Sequence, residues 1–165
     1  MKVARAIFEH VLANMKYDKP QDKKGWGKGS VKWACSEKYG NCTDFHALFM
    51  NLCRARGIPA RFTMGVLLPR EPKGKLDGYH CWCEFYVAGA GWVPVDASEA
   101  SKHPEKKDYY FGTLDEDRVA FLEGRDLTLE PAQKVGPLSI VPVGYAERDG
   151  KPVEIKRSIV FEDVK

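Results

Sequence analysis

The stretch NCTDFHALFMNLCRARGIP, residues 41–59, places the tightest constraint on the fold. Its apolar residues repeat at the i, i+3, i+4, i+7 and i+8 spacing of one buried helical face: Phe45, Leu48, Phe49, Leu52 and Cys53. Asn41 is a preferred N-cap residue, and Asp44 can reach back to its backbone N–H in a capping box. A glycine and a proline end the pattern. The sequence therefore predicts a helix that begins at Cys42.

Strand patterns follow this helix. β-Branched and aromatic residues dominate residues 60–68 and 79–87, and the turn-rich PREPKGKLDG connects them. The glycines of AGAG, residues 88–91, lead into WVPVD, so we expect a hairpin over residues 79–96 with Pro94 at an edge or bulged position. A helix followed by an antiparallel sheet is an α+β arrangement.

The 165 residues suit one domain, 1–165. Helical spacing of four apolar residues predicts an N-terminal helix: Val3, Ile7, Val11 and Met15. Residues 16–33, rich in lysine and glycine, are predicted to form a loop. Beyond residue 105 we expect strands at RVAFL, LSIVPVGYAE and KPVEIKRSIVFE, the last two joined by an Asp149-Gly150 turn.

Composition limits the partners. The chain is 44% hydrophobic and 30% charged, and its net charge of +3 is too small to indicate nucleic-acid binding. The N-terminus lacks the unbroken apolar run of a signal peptide or membrane span. We therefore expect neither a nucleic-acid nor a membrane partner and, by default, a cytoplasmic location. A helix that starts almost at Met1 is compatible with a piece of a longer protein, and the oligomeric state stays open.

Cys42 is set apart from the other cysteines by its predicted place at a helix start. The five cysteines are an odd number without the spacing of a disulfide scaffold, so most are expected to be reduced. Free N–H groups and the helix dipole stabilise a thiolate at that position and can also bind an oxyanion. Because free cysteines are usually core residues, we interpret the other four as structural: Cys35, Cys53, Cys81 and Cys83.

A nucleophilic thiol needs a base and a group that orients the base. On a strand through YHCWCEFY, His80 stands on the face opposite the two cysteines. With the hairpin tip near Ala88, His80 lies across from Asp96, whose carboxylate can hold one imidazole nitrogen. Cys42, His80 and Asp96 then fit the roles of a catalytic triad.

Three alternatives stay open. His46, one turn after Cys42, is a competing base on the same helix. Asp96 is alternatively an ordinary turn residue. The cysteines and histidines are potential zinc ligands, although their spacing is poor and no Cys-x2-Cys pair is present. We expect no metal and no cofactor.

Three blocks of the sequence resemble the core of the transglutaminase-like superfamily, a group of papain-related thiol enzymes: GNCTDFHALFMNLCRARGIPARF, HCWCEFYVAGAGWVPVDAS and YYFGTLDEDRVAF. The resemblance is to a bacterial-type core domain, covers residues 25–125 and leaves residues 126–165 as a strand-rich extension. It implies a papain-like α+β core in which the nucleophile helix packs on an antiparallel sheet. It also implies that Cys42 is the nucleophile, His80 the base and Asp96 its orienting group.

The resemblance further implies thiol-dependent acyl transfer on protein or peptide amides, through a thioester and without a cofactor. Trp33 or Trp26 is a candidate for the upstream indole that supports the oxyanion in part of the family. No residue separates a cysteine peptidase or amidase from a transglutaminase. A catalytically inactive binding module is the further alternative within the family.

Overall fold

The computed structural model describes residues 1–18, 25–76, 78–138 and 144–164. Within these residues the α-helices are α1 (Lys2–Asn14), α2 (Val31–Glu37), α3 (Cys42–Ala55) and α4 (Ala97–Lys102), and a short 3-10 helix covers Pro104–Lys106. The strands are β1 (Lys16–Tyr17), β2 (Tyr39–Gly40), β3 (Ala60–Leu67), β4 (Lys73–Leu76), β5 (His80–Val87), β6 (Gly91–Val95), β7 (Arg118–Glu123), β8 (Glu147–Arg148), β9 (Lys151–Pro152) and β10 (Ile159–Glu162).

The central sheet is antiparallel, with the strand order β6-β5-β3-β7. β6 lies at the edge, as predicted for a strand that contains Pro94. β3 and β5, which come from the two predicted strand patterns, pair along their length at the centre of the sheet. Among the described residues, three two-stranded pairs lie outside the sheet: parallel β1–β2 and antiparallel β4–β10 and β8–β9.

α3 packs across β3 and β5, and its apolar face is buried as predicted. Phe45 and Phe49 are fully buried, and the Phe49 ring meets that of Phe85 on β5 edge-on, with 6.1 Å between the centroids. The helices α1, α2 and α4 pack against α3 in turn. The predicted α+β class, with one helix packed on an antiparallel sheet, is confirmed.

The tip of the β5–β6 hairpin lies further along the chain than the sequence predicted. Val87 pairs with Gly91, so the tip is centred on Gly89. Gly89 and Gly91 both adopt a φ of 82°, a left-handed conformation that glycine accepts without strain. The predicted register, with Asp96 directly opposite His80, is therefore wrong, because Asp96 follows the last residue of β6.

α1 forms where the sequence predicted a helix, but its buried face is rotated. The residues of this face keep the i, i+3, i+4, i+7 spacing: Ala4, Ile7, Phe8 and Val11. Val3, expected on this face, is 46% exposed. Met15, at the end of the predicted pattern, is buried just beyond the helix.

Two short helices were missed in the sequence because each starts with a cap inside a segment that looked like a loop or turn. Ser30 caps α2 by accepting a hydrogen bond from the Trp33 N–H at 3.3 Å, so residues 31–33 are not loop. Asp96 caps α4 by accepting from the Glu99 N–H at 2.8 Å. Residues 19–24 of the predicted loop lie outside the described residues.

The carboxyl-terminal part contains short strands joined as the sequence predicted. β8 and β9 pair on either side of Asp149-Gly150, and both turn residues adopt positive φ, as a two-residue hairpin turn of this type requires. β7 matches the predicted strand RVAFL, whereas the predicted KPVEIKRSIVFE is a strand only at its two ends, in β9 and β10, and residues 153–158 between them are not strand. Residues 139–143 of LSIVPVGYAE lie outside the described residues. None of the helices described is both long and apolar enough to cross a bilayer.

The buried carboxylate of Asp44 ties the loop before α2 to the start of α3. It accepts hydrogen bonds from the backbone N–H groups of Gly27 at 2.7 Å, Gly29 at 2.9 Å and Asn41 at 3.1 Å. Gly29 and Asn41 are buried, so water does not readily replace the carboxylate as the acceptor of their N–H groups. Asp44 is therefore a structural anchor for the segment that precedes Cys42.

We predict that Asp44→Ala lowers the free energy of unfolding by about 3 kcal/mol or more, since each buried N–H left without an acceptor costs about 1–3 kcal/mol. Urea denaturation followed by circular dichroism measures the change. Asp163→Ala, which removes an exposed carboxylate, is the matched control and should change stability by less than about 0.5 kcal/mol. Equal stabilities of the two variants would contradict the anchoring role.

Candidate active site

Cys42 is the first residue of α3, where the sequence predicted it, and a capping box fixes the helix start. The Asn41 side chain accepts a hydrogen bond from the Thr43 N–H at 2.9 Å, while Asp44 accepts from the Asn41 N–H. In the part of the chain that the structure describes, the Cys42 N–H donates to no acceptor. The thiol thus stands at the positive end of the helix beside a free backbone donor.

His80 begins β5 and is only 6% exposed. Its Nε2 lies 2.6 Å from Oδ2 of Asp96. The two side chains meet although the strand register differs from the prediction, because the chain turns at Asp96 into α4. With Nε2 held by the carboxylate, Nδ1 is the ring nitrogen left for the thiol of Cys42.

Asp96 is fully buried and accepts hydrogen bonds at both carboxylate oxygens. Oδ1 accepts from the Ser98 hydroxyl and from the Glu99 N–H, each at 2.8 Å. Oδ2 accepts from His80 and, at 2.6 Å, from Nη1 of Arg118. In the structure Asp96 is the cap of a helix and a partner of two cationic groups, so the alternative of an ordinary turn residue is wrong.

Arg118 is a site residue that the sequence analysis missed. It is the first residue of β7, and its side chain is 4% exposed. The guanidinium carbon lies 5.4 Å from the centre of the Trp82 ring and 6.0 Å from that of Tyr110. No sequence signal connects Arg118 with Asp96, because the contact depends on how the end of β7 is placed beside α4.

The pKa values of His80 and Asp96 are shifted in opposite directions. Burial by itself would lower the pKa of His80, but the charge and hydrogen bond of Asp96, followed by the interaction with Cys42, raise it to about 10. Burial by itself would raise the pKa of Asp96, but the charge of His80 and the hydrogen bonds of His46 and His80 together outweigh burial and hold that pKa well below its usual range. The pair is therefore ionic at neutral pH.

The pKa of the Cys42 thiol is held well below its usual value. A hydrogen bond from Cys81 contributes most, burial opposes it, and the hydrogen bond and charge of His80 add to the lowering. Burial raises the pKa of Cys81 well above its usual value, so Cys81 keeps its proton and donates it. Both shifts favour the state with a thiolate at Cys42 and an imidazolium at His80.

The Cys81 thiol is buried, as expected for a structural cysteine, and lies beside the first turn of α3. Its Sγ is 3.8 Å from Oγ1 of Thr43 and 3.7 Å from Nδ1 of His46. Alternation along β5 places Cys81 and His80 on opposite faces, but the sequence does not show which of these faces meets α3. Cys53 and Cys83 are buried, as expected, whereas Cys35 is exposed and not part of the core.

His46 is placed differently from a base for Cys42. The ring is fully buried, and its Nε2 accepts a hydrogen bond from the Ala97 N–H at 3.1 Å. Nδ1 faces the Cys81 thiol, so both nitrogens already have partners and neither is left for Cys42. The imidazole instead connects α3 to the start of α4.

The two tryptophans named as oxyanion candidates use their indole N–H groups elsewhere in this structure. Nε1 of Trp26 donates to the Asp18 carbonyl oxygen at 2.7 Å, and Nε1 of Trp33 donates to the Tyr39 carbonyl oxygen at 3.3 Å. Neither indole is free to donate to an oxyanion in this arrangement. Within the described residues, no group of three or more histidine, cysteine or acidic side chains is placed to hold a metal ion.

Comparison with known proteins gives similarity to one family and to a few individual proteins. A family model described as the transglutaminase-like superfamily matches residues 1–97. A curated protein of uncharacterised function from Haemophilus influenzae is 33% identical over 186 aligned positions, which cover 93% of this chain and 50% of that protein. The chain therefore spans half the length of this relative.

Two solved structures are also similar. A candidate cysteine protease from Cytophaga hutchinsonii has a TM-score of 0.53 and 25% identity, over 73% of this chain and 35% of that chain. The periplasmic domain of TgpA from Pseudomonas aeruginosa has a TM-score of 0.42 and 22% identity, over 64% of this chain and 40% of that chain.

A Cys42 thiolate paired with the His80 imidazolium predicts selective labelling of Cys42 by limiting iodoacetamide at pH 6. At this pH an ordinary thiol is ionised to only about 0.3%. We expect Cys42 to react at least about 10-fold faster than the exposed Cys35, and His80→Ala to remove this advantage. Peptide mass mapping measures both rates in one sample. His103→Ala, at an exposed histidine, is the control. Labelling of Cys42 that is indifferent to His80 would refute the pairing.

Cys42 and His80 are also predicted to make a contribution to the free energy of unfolding that has a bell-shaped dependence on pH. The raised pKa of His80, about 10, contributes stability that is complete below about pH 6.5 and is lost as pH rises toward 10. The lowered pKa of Cys42 contributes stability that is complete above about pH 8.5 and is lost as pH falls through the folded-state pKa. The sum is therefore level between about pH 6.5 and 8.5 and declines on both sides.

Denaturant unfolding of the wild type and of the double variant Cys42→Ser/His80→Gln at pH 5 to 10 measures this contribution. Groups that do not interact with Cys42 or His80 titrate alike in the two proteins, so their contribution cancels in the difference. The difference should be largest near pH 7.5 and should fall toward pH 10. A difference that stays constant from pH 7.5 to 10 would contradict the shifted pKa of His80.

Proposed function

The chain belongs to the transglutaminase-like superfamily, and we propose that it catalyses thiol-dependent acyl transfer on protein or peptide amides with Cys42, His80 and Asp96. The observation that carries this proposal is the 2.6 Å contact between His80 Nε2 and Asp96 Oδ2. That contact directs the other imidazole nitrogen to a thiol whose pKa is lowered by Cys81 and His80. A thiolate paired with a cationic acid is what amide cleavage through a thioester requires.

In the first half of the reaction, the Cys42 thiolate attacks the amide carbonyl carbon and forms a C–S bond. The carbonyl electrons move to oxygen, and the Cys42 N–H donates to the resulting oxyanion. When the tetrahedral intermediate collapses, the C–N bond breaks and His80 Nδ1 gives its proton to the leaving amine or ammonia. The products of this half are a thioester on Cys42 and a neutral imidazole.

In the second half, His80 removes a proton from water or from an amine, which attacks the thioester carbonyl. The C–S bond then breaks, the acyl group leaves as an acid or a new amide, and the thiolate–imidazolium pair is restored. Water gives a peptidase or amidase, and an amine gives a transglutaminase. The similarity to a candidate cysteine protease favours peptide hydrolysis as the first reaction to test.

Asp96 and Arg118 act on the reaction through His80. Asp96 stabilises the imidazolium and keeps Nε2 protonated, so the proton that moves is the one on Nδ1. Arg118 donates to the same carboxylate oxygen as His80 and keeps the carboxylate ionised and fixed in place. We propose Arg118 as a positioning residue, since it reaches the thiol only through Asp96 and His80.

A catalytically inactive binding module is the second candidate. It is favoured by the burial of the thiol, because Cys42 is only 3% exposed and a substrate must gain access to it. Under both proposals the partner is a protein or peptide, with no nucleic acid or membrane, and a cytoplasmic location stays a prediction.

We predict that Cys42→Ala lowers the rate of reaction with a casein substrate by about 10³-fold or more. The rate is measured as peptide cleavage, or as ammonia release with and without an added primary amine. His80→Ala should lose a similar factor. Cys35→Ala, which removes an exposed thiol, is the control and should keep wild-type turnover.

The result distinguishes the candidates. Amine incorporation identifies a transglutaminase, and ammonia or peptide release without incorporation identifies a hydrolase. Turnover that survives in Cys42→Ala would overturn the proposed mechanism. Binding of a protein partner equally well by wild type and Cys42→Ala, without turnover in either assay, would favour the binding module.

A further inference from the structure

Tyr79, the residue before His80, lies against the start of α3. Its Oη is 2.9 Å from Oγ1 of Thr43 and accepts a hydrogen bond from Nδ2 of Asn41 at 3.3 Å. Asn41 and Thr43 are the residues on either side of Cys42. The phenol is therefore held at the end of the helix where the thiol and the free Cys42 N–H are found.

The phenol of Tyr79 keeps its proton under the conditions in which the thiol is ionised. Burial, and after it the nearby charge of Cys42, raises the pKa of Tyr79 to about 12. A neutral phenol beside an anionic centre acts as a hydrogen-bond donor. The side chain of Tyr79 is half-buried.

The hydrogen bonds around Oη leave the phenolic proton available. Asn41 donates to Oη, so the O–H of Tyr79 must point to a different acceptor. Its neighbour in this structure is the neutral hydroxyl of Thr43, which also approaches the Cys81 thiol at 3.8 Å. An oxyanion is a stronger acceptor than a neutral hydroxyl, so a developing negative charge beside Cys42 competes successfully for this proton.

A tetrahedral oxyanion is normally held by two hydrogen-bond donors. The Cys42 N–H is one of them, and the second must come from another residue. The indoles of Trp26 and Trp33 donate to backbone carbonyl groups. We propose that Tyr79 is the second oxyanion donor: its O–H turns from Thr43 to the oxyanion, while Asn41 continues to donate to Oη. No proton leaves Tyr79. This inference rests on the proposed function, because it assigns Tyr79 to the acyl-transfer step at Cys42.

The test uses two reactions of Cys42 that differ in whether an oxyanion forms. Acylation by p-nitrophenyl acetate passes through a tetrahedral oxyanion, whereas alkylation by iodoacetamide at pH 6 is a displacement at a saturated carbon. Tyr79→Phe should therefore slow the p-nitrophenolate burst by at least about 10-fold, within the range of up to about 10²–10³ for one lost donor. The alkylation rate should stay within about 3-fold of wild type, because the thiolate is not disturbed.

Two further variants separate donation to the oxyanion from a structural role. Thr43→Val removes the present partner of the phenol, so acylation should stay within a few-fold of wild type if Tyr79 acts on the oxyanion. If Tyr79 only braces the helix start through Thr43, then Thr43→Val should lose as much acylation as Tyr79→Phe. Tyr86→Phe, at an exposed tyrosine on β5, the strand that follows Tyr79, is the matched control.

Each outcome decides the inference. A slow burst with normal alkylation in Tyr79→Phe, and a fast burst in Thr43→Val, supports it. A burst in Tyr79→Phe within about 3-fold of wild type, a parallel loss of alkylation, equal losses in the two variants, or a wild type that the ester does not acylate overturns it. If the variants give the supporting pattern with the ester but the wild type turns over no amide, Tyr79 remains the oxyanion donor and the amide-transfer function is refuted.

Discussion

The buried carboxylate of Asp96 is the interaction on which the rest of the site depends. It caps α4, holds the ring of His80 and receives Arg118 from the start of β7, so a helix and two strands converge on one side chain. A buried charge that loses its partners costs about 3–5 kcal/mol. The fold therefore gains its full stability only when α4, β5 and β7 meet at Asp96, and this arrangement also places His80 beside Cys42.

Asp44 plays a parallel part at the start of α3. Asp96 is the N-cap of α4, whereas Asp44 belongs to the capping box of α3, and each also accepts hydrogen bonds from another segment, which for Asp44 is the backbone at Gly27 and Gly29. The difference lies in the partner. Asp44 meets neutral backbone donors and so contributes position alone, whereas Asp96 meets two cations and so determines the protonation of the imidazole next to Cys42.

The parts of the site that were predictable from sequence are those set by local rules. The helix at Cys42, its capping box and the β5–β6 hairpin follow from residue spacing, and His80 and Asp96 do lie together. The predicted register of the hairpin was nevertheless wrong. Its tip is centred on Gly89 and not on Ala88, because Gly89 and Gly91 adopt the left-handed conformation of the turn.

The sequence does not show which strand end meets which helix end. The positions of Arg118, Cys81 and Tyr79 in the site depend on this packing and could not be predicted. Alternation along β5 assigns two faces but does not say which face α3 covers, and that choice brings Cys81 to the thiol. Burial then has two effects at Cys42. It opposes the thiolate, but it also removes the water that would screen its attraction to His80. The thiolate is consequently favoured only while Cys81 and His80 stay in place beside Cys42.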